Sequence, residues 1–423
     1  MSIKVLVFPC GSEIGLEIYR SLQYSIHVDL IGGSSVDDHG KFVYEKYIGN
    51  IPDVSNSEFL DKLNDIITAE KIDAIYPAHD SVVLFLASHA DALKCKVIGS
   101  SAATADICRS KLKTYQFFDN ILNVPKLYSS VKEVNECPVF LKPEVGQGSK
   151  GVYIANSRDE VKFYIEKNPE LLILEYLPGK EFTVDCFTDR YGNLRFAGVR
   201  ERSRTMNGIS VHTKPLLLSH EFKELADKIN SSLSFRGAWF FQVKRNQNKQ
   251  LSLLEIAPRI AGSMALHRCM GVNFALLSIF DAFDIDVDIH YEDTLVEMDR
   301  ALENKYKIKI QFEHVYMDLD DCLIIDNKLN TELIKFLYQC LNQRKSVHLV
   351  SRHKYNIHDT LASFRIAGLF DQVHHLDRET PKSAVIKEKK AIFIDDSFIE
   401  RREVFLATGI PVFAPDAVES LLQ

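Results

Sequence analysis

Short apolar runs alternating with amphipathic stretches set the pattern of the first hundred residues. Val5-Leu6-Val7-Phe8 has the length of a strand, and Leu16 to Leu22 follows it with helical spacing. Ile72-Asp73-Ala74-Ile75-Tyr76-Pro77 and Lys96-Val97-Ile98-Gly99 predict further strands. Strands alternating with helices predict a parallel α/β sheet over residues 1–108. Further along, Trp239 within Gly237-Ala238-Trp239-Phe240-Phe241 reads as strand core. Val347-His348-Leu349-Val350-Ser351 and Ala391-Ile392-Phe393-Ile394-Asp395-Asp396 are apolar strands with polar ends. Asp299 to Lys309, charged and helical in character, predicts the passage into a C-terminal domain. At 423 residues the chain holds two or three domains, and no repeat or low-complexity segment marks their seams.

Tyr316-Met317-Asp318-Leu319-Asp320-Asp321-Cys322-Leu323 is an apolar run ending in three carboxylates within four residues. Asp318 and Asp320, two apart at a strand's end, can face one small volume. Like charges held together call for a cation or a shared proton. That suits a Mg²⁺ site where one carboxylate attacks phosphorus and the other shuttles a proton. Alone, the run reads equally well as an acidic loop. Three later pieces move the balance: Ser351 at a strand end, Lys382 after Pro381, and the Asp395-Asp396 pair.

In order and spacing these pieces resemble the four signature motifs of the haloacid dehalogenase (HAD) superfamily, mostly Mg²⁺-dependent phosphohydrolases. The resemblance implies that Asp318 is the nucleophile and Asp320 the general acid/base. It further implies that Ser351 and Lys382 bind phosphate, and that Asp318, Asp320, Asp395 and Asp396 hold the metal. Cys322 stands where many members carry Thr and is read as a buried substitute. Asp318 and Ser351 are 33 residues apart, and Ser351 and Lys382 are 31 apart, so neither gap has room for a sizeable cap domain. A capless site is open: either its substrate is large, or another domain of the chain covers it.

Gly146-Gln147-Gly148-Ser149-Lys150-Gly151 matches G-x-G-x-x-G, but a dinucleotide loop must open a helix. Here Val152-Tyr153-Ile154-Ala155 follows, which reads as a strand, so the loop is a hairpin flap whose backbone amides can close over phosphates. Cys10-Gly11-Ser12-Glu13-Ile14-Gly15 does lie between strand and helix, but it lacks the full spacing and is read as a tight turn near a substrate anion, not an NAD site. Around the flap, Val139-Phe140-Leu141-Lys142-Pro143 ends a strand in lysine. Leu171 to Glu181 is a strand with an acidic end, a turn and a second acid. Leu251 to Ser263 delivers a carboxylate and then an arginine.

Together these resemble the carboxylate-activating, carbamoyl-phosphate-synthetase-like branch of the ATP-grasp superfamily, over roughly residues 1 to 290. The resemblance implies that Lys111 and Lys142 contact ATP phosphates under a flap of Gly146, Gly148, Ser149 and Gly151. Glu175 and the Leu177 backbone would hold adenine, Glu181 the ribose, Gln242 and Glu255 Mg²⁺, and Arg259 the transferred phosphate. Arg200 and Arg202 are further anion-contact candidates that no motif singles out. The chain departs from the family at Ala257, where Asn helps bind a second metal, and at Ser110, where Asp is common.

Composition narrows the picture in three ways. Hydrophobic content of 46% with 26% charged residues describes a globular protein with ample core, and the net charge of −7 argues against nucleic acid as partner. The eight cysteines are scattered without CxxC or zinc spacing, as for reduced thiols in a cytoplasmic protein. His212, His267, His314, His353 and His374-His375 share no ligand spacing and are read as surface or core residues. No cleavable signal and no uninterrupted apolar stretch of bilayer length is present, so no membrane association is expected.

The expected architecture is a multidomain α/β chain. Residues 1–108 form a Rossmann-like pre-ATP-grasp domain, 109–300 an α+β ATP-grasp fold, and 310–423 a capless HAD-like Rossmannoid domain. The expected function is bifunctional: a ligase joining a small-molecule carboxylate to an amine or other nucleophile, using ATP and Mg²⁺, fused to a phosphatase acting on a phosphorylated metabolite. The alternative, motivated by Ala257, is an ATP-binding sensor or scaffold that regulates or covers the phosphatase. A homodimer is expected only by analogy with the superfamily.

Overall fold

The computed structural model describes residues 2–146, 148, 150–291 and 296–422, which form two compact units, Met1–Leu302 and Glu303–Gln423. In the first, Lys46–Ile48, Val28–Gly33, Ile3–Phe8, Ala74–Pro77 and Lys96–Val97 lie side by side in that order as a parallel sheet. Val5, Leu6 and Val7 are fully buried, as a strand covered on both faces requires, which is why the run is continuously apolar. The strand order reverses between Ile3–Phe8 and Ala74–Pro77, so the turns after these two strands, at Ser12 and at His79-Asp80, flank a crevice at the sheet's carboxyl edge.

Two antiparallel sheets complete this unit. Leu127–Tyr128, Leu171–Glu175, Val139–Pro143 and Tyr153–Ala155 form one. Leu251–Ala257, Gly237–Arg245, Glu181–Thr188, Leu194–Met206, Ile209–Leu216 and Met298–Asp299 form the other. Trp239 is fully buried and its Nε1 donates to Thr188 Oγ1 at 2.8 Å, so it is strand core as its neighbours suggest. Val5, Val7 and Ala74 of the parallel sheet share one core with Phe187, Phe240 and Phe274. Among the described residues, no single helix is long and apolar enough to cross a membrane.

The second unit is a parallel sheet of Gln372–His375, Ser346–Ser351, His314–Met317, Ala391–Ile394 and Val412–Phe413, in that order. Thr331–Asn342 begins where Asn330 Oδ1 accepts from Glu332 N at 3.2 Å, and Phe398–Thr408 ends at Gly409 with φ of 74°. Between Asp318 and Ser351 lie only a short hairpin, Ile324–Ile325 with Lys328–Leu329, and one helix. Between Ser351 and Lys382 lie a short helix, a 3₁₀ turn and one strand. Neither gap holds a cap domain.

One expectation is corrected. Residues 300–312 form no helix, and only Asp299 enters regular structure, pairing with His212 at a sheet edge. The segment's charges give it helix formers, but its apolar residues Tyr306, Ile308, Ile310 and Phe312 fall at every second position, a spacing that spreads them around a helix instead of along one face.

Candidate functional site

The first unit's residues converge on a pocket beneath the glycine hairpin. Val139, Phe140 and Leu141 pair with Ala155, Ile154 and Tyr153, so the loop between them reverses the chain as a flap. Gly148 and Gly151 adopt φ of 64° and 70°, the left-handed region in which a side chain is strained. Gly146 and Gly148 line the pocket; Ser149 lies outside the described residues. Lys111 opens the helix Lys111–Phe118, and Ser110 caps it: its Oγ accepts from Lys113 N at 3.0 Å and bonds Glu144. A hydroxyl thus does at Ser110 the capping work that the family's carboxylate can do. Lys111 Nζ reaches Gly146 O at 3.2 Å, tying lysine to flap.

Lys142 also lines this pocket, 7% exposed, with its ammonium 5.3 Å from the Tyr115 ring centroid. Burial, reinforced by the Lys111 charge, pushes its pKa down to about 7. Burial likewise lowers Lys111. Two desolvated lysines side by side are stabilised by an anion between them. Gln242 and Glu255 are register partners on adjacent antiparallel strands, so their side chains share a face, and both line the pocket. Their oxygens suit a hard cation such as Mg²⁺. Ala257 follows on the same strand with no donor atom, so it adds no ligand to this wall.

At the pocket's other end Phe140, Leu174 and Leu254 make apolar walls beside Glu175 and Leu177. Glu175 Oε2 accepts from Lys126 N at 3.2 Å. Glu181 also lines the pocket but is ion-paired with Arg202 Nε at 2.8 Å. Gly151 and Arg259 do not line this pocket. Arg259 faces the adjoining cavity and grips Asp80 with both arms, Nε to Oδ1 at 2.6 Å and Nη2 to Oδ2 at 2.8 Å. The guanidinium expected at a transferred phosphate is held here by Asp80 at the parallel sheet's edge. Arg200 is buried with Asp185, which also takes His267 Nδ1 at 3.0 Å.

In the second unit, Asp318, Asp395 and Asp396 bring carboxylate oxygens within 4.8 Å of one another. Lys382 Nζ lies 2.8 Å from Asp318 and 2.7 Å from Asp395. Asp318 Oδ1 is buried and unpartnered, which, with three converging carboxylates, fits a divalent cation. Burial, together with the Asp318 charge, pushes Asp395 up to about 6, and burial raises Asp318 against the pull of Lys382. Against its own burial, Asp318 and Asp395 hold Lys382 above the usual lysine range. Ser351, also buried, stands close enough to Asp318 to offset part of that carboxyl's rise. Burial pushes the Cys322 thiol well up, so it is a packed side chain rather than a thiolate.

Asp320 does not join the metal cluster. Its carboxylate turns to His353, whose Nδ1 lies 2.9 Å from each oxygen. The Asp320 side chain, expected among the metal ligands, thus stands apart from the three clustered carboxylates, and His353, expected as a surface or core residue, is largely buried against it. The strands pair in register Met317↔Leu349, so the loop residues just beyond them fall side by side. The signal available in the sequence was a polar residue in the loop just after each of two apolar strands. The other histidines hold structural partners: His212 meets Glu297 at 2.8 Å, and His314 meets His348 at 3.2 Å.

A family model described as "ATP-grasp in the biosynthetic pathway with Ter operon" matches residues 167–310. A D-alanine–D-alanine ligase of Fusobacterium nucleatum subsp. nucleatum is 29% identical over 158 residues, 35% of this chain and 55% of that protein. A carbamoyl-phosphate synthase of Methanobrevibacter smithii is 23% identical over 57% of this chain and 77% of that one. The biotin carboxylase domain of the 2-oxoglutarate carboxylase of Hydrogenobacter thermophilus, solved with MgADP and bicarbonate, superposes with a TM-score of 0.57 at 17% identity, covering 69% of this chain and 71% of that one. These similarities support the ATP-grasp superfamily. The chain spans about half the length (55%) of the first of these relatives.

Proposed function

We propose that residues 1–300 form an ATP- and Mg²⁺-dependent ligase, 1–108 helping to hold the acid and 109–300 binding ATP, and that residues 310–423 form a HAD-type phosphohydrolase. The convergence of Lys111, Lys142, Gln242 and Glu255 under one glycine flap carries the ligase reading. A carboxylate oxygen of the acid attacks the γ-phosphorus of ATP, ADP leaves, and an acyl phosphate forms. An amine nitrogen, or another nucleophile, then attacks the acyl carbon, loses its proton and expels inorganic phosphate. Phosphoryl transfer needs mainly positioning and charge neutralisation. Lys111 and Lys142 supply it at the phosphoryl oxygens, and Glu175 and the Leu177 backbone receive adenine. Glu181, steadied by Arg202, receives the ribose. Gln242 and Glu255 would hold Mg²⁺, which would supply further neutralisation of phosphate charge.

In the C-terminal unit, the buried and unpartnered Asp318 Oδ1 beside Lys382 carries the reading. An Asp318 oxygen attacks the phosphorus of a phosphomonoester while Asp320 gives a proton to the leaving oxygen. Asp320 then takes a proton from water, which attacks the aspartyl phosphate and releases phosphate. Ser351 and Lys382 hold the phosphoryl oxygens, and Asp318, Asp395 and Asp396 would hold Mg²⁺.

ADP release with Mg²⁺-ATP against a pooled library of carboxylates and amines tests the ligase, in an Asp318→Asn background that silences the phosphatase. Acid-dependent ADP that disappears in Lys142→Ala supports it. ATP binding without turnover supports the alternative, an ATP-binding sensor regulating the phosphatase, which rests on the donorless Ala257. Hydrolysis of p-nitrophenyl phosphate that survives Asp318→Asn would refute the phosphatase mechanism.

A further inference from the structure

A cavity of about 900 Å³ adjoins the nucleotide pocket, and Glu255 and Gln242 line both. Its floor is the crevice where the parallel sheet reverses strand order, the place where open α/β sheets take their ligands. Its volume suits a small organic molecule. The charges on its wall are unequally satisfied. Glu13 is taken by Arg300 at 2.7 Å, and Asp80 by Arg259. Two guanidinium groups keep unused donors. Arg109 Nη2 reaches only the hydroxyl of Ser81, at 2.9 Å, and Arg109 pairs with no carboxylate among the described residues. Arg200 is 1% exposed; its Nε and Nη2 bind Asp185 at 2.8 and 3.1 Å, and its Nη1 has no partner.

The ATP phosphates already have Lys142 in the neighbouring pocket and Lys111, which lines both. A buried donor left unpaired is destabilising, and an anion satisfies it through a strong charge-assisted bond. We propose that the acid bound in this cavity carries a second anionic group, a carboxylate or a phosphate, besides the carboxylate that reacts, and that the free donors of Arg109 and Arg200 receive it. The proposal rests on the ligase reading of this unit. It makes the substrate a dianion and excludes simple monocarboxylates as the acid.

The test is calorimetric titration of the full-length chain, loaded with MgADP, with glutarate, inorganic phosphate and acetate at matched ionic strength. Glutarate or phosphate is expected to bind at least tenfold more tightly than acetate, and Arg109→Gln is expected to remove the difference. Whichever of glutarate and phosphate is preferred names the second group. Arg109 stands at a helix end and is half-buried, so its replacement spares the Arg200–Asp185–His267 cluster, and Trp239 fluorescence checks the fold. Equal binding of all three anions, or an unchanged preference in Arg109→Gln, overturns the proposal. Failure of MgADP to bind is a separate result that removes the ATP site; the anion titrations are then read on the nucleotide-free Lys142→Ala chain by the same criteria.

Discussion

His353 Nδ1 stands 2.9 Å from both oxygens of Asp320, while its Nε2 meets Thr360 Oγ1 at 2.8 Å. Thr360 donates its own proton to Asn356 O at 3.2 Å, so Nε2 is the donor to Thr360. The contact on the other side of the ring then requires one proton shared between Nδ1 and Asp320. His353 is thereby a positioning residue for the proposed acid/base.

His353→Ala is expected to lower kcat for phosphomonoester hydrolysis by about 10- to 100-fold, within the range that general acid–base catalysis supplies. KM should stay unchanged, because His353 acts through Asp320. His353→Gln, which retains a donor, should recover part of the rate. A rate loss that His353→Gln does not recover, or one matched by a rise in KM, would mark His353 as merely structural.

The buried Lys142 predicts proton uptake when ATP binds. With its pKa near 7, the lysine is mostly neutral at pH 8 in the free chain, and phosphate oxygens restore its charge. Binding at pH 8 should therefore take up as much as about one proton, and affinity should weaken as pH rises above 7. Calorimetry in two buffers of different ionisation heat measures this directly, and Lys142→Met should abolish it. In the absence of nucleotide the sign follows from the unfolded chain, which binds more protons between about 7 and 10.5 than the folded one; stability should rise with pH across that window.

The Arg259–Asp80 pair joins residues 179 apart in the chain. Burial alone would raise Asp80, but the Arg259 charge and its two hydrogen bonds hold the carboxyl below its ordinary range. Removing either partner leaves a largely buried charge unpaired. Asp80→Ala should destabilise the N-terminal unit by about 3–5 kcal/mol. The wild-type contribution is present above the ordinary carboxylate pKa and is lost as pH falls through the lowered one. Urea unfolding followed by Trp239, the chain's one tryptophan and a residue of this unit, measures it without interference from the other unit.

The strands and their polar ends were readable from local pattern. The hairpin flap followed from Val152 to Ala155 after the glycines, and the strand-end carboxylates from the apolar runs before them. Partners set by topology were hidden. Arg202 and Glu181, and Asp320 and His353, meet because particular strands are neighbours, and Arg259 meets Asp80 because two different sheets pack together; periodicity within one segment carries no information on either. Arg200 illustrates the limit. A surface-like charge in the sequence is 1% exposed, because Asp185 and His267 converge on it from elsewhere in the chain.

Metal removal should separate the two units' dependence on Mg²⁺. In the C-terminal unit the unpartnered Asp318 Oδ1 and three carboxylates within 4.8 Å repel one another, and only Lys382 compensates. Mg²⁺ should therefore stabilise this unit by RT ln(1 + [L]/Kd), about 2.7 kcal/mol at a hundredfold excess over Kd, and so raise its thermal midpoint. Asp395→Asn should abolish most of that gain. In the N-terminal unit, Gln242 and Glu255 alone offer weaker purchase, so Mg²⁺ without nucleotide should leave its unfolding unchanged. Ala257→Asn places an amide oxygen on the same cavity wall, and ATP affinity should then rise more steeply with Mg²⁺ concentration than in the wild type. An unchanged Mg²⁺ dependence in Ala257→Asn would mean that Gln242 and Glu255 do not hold the metal.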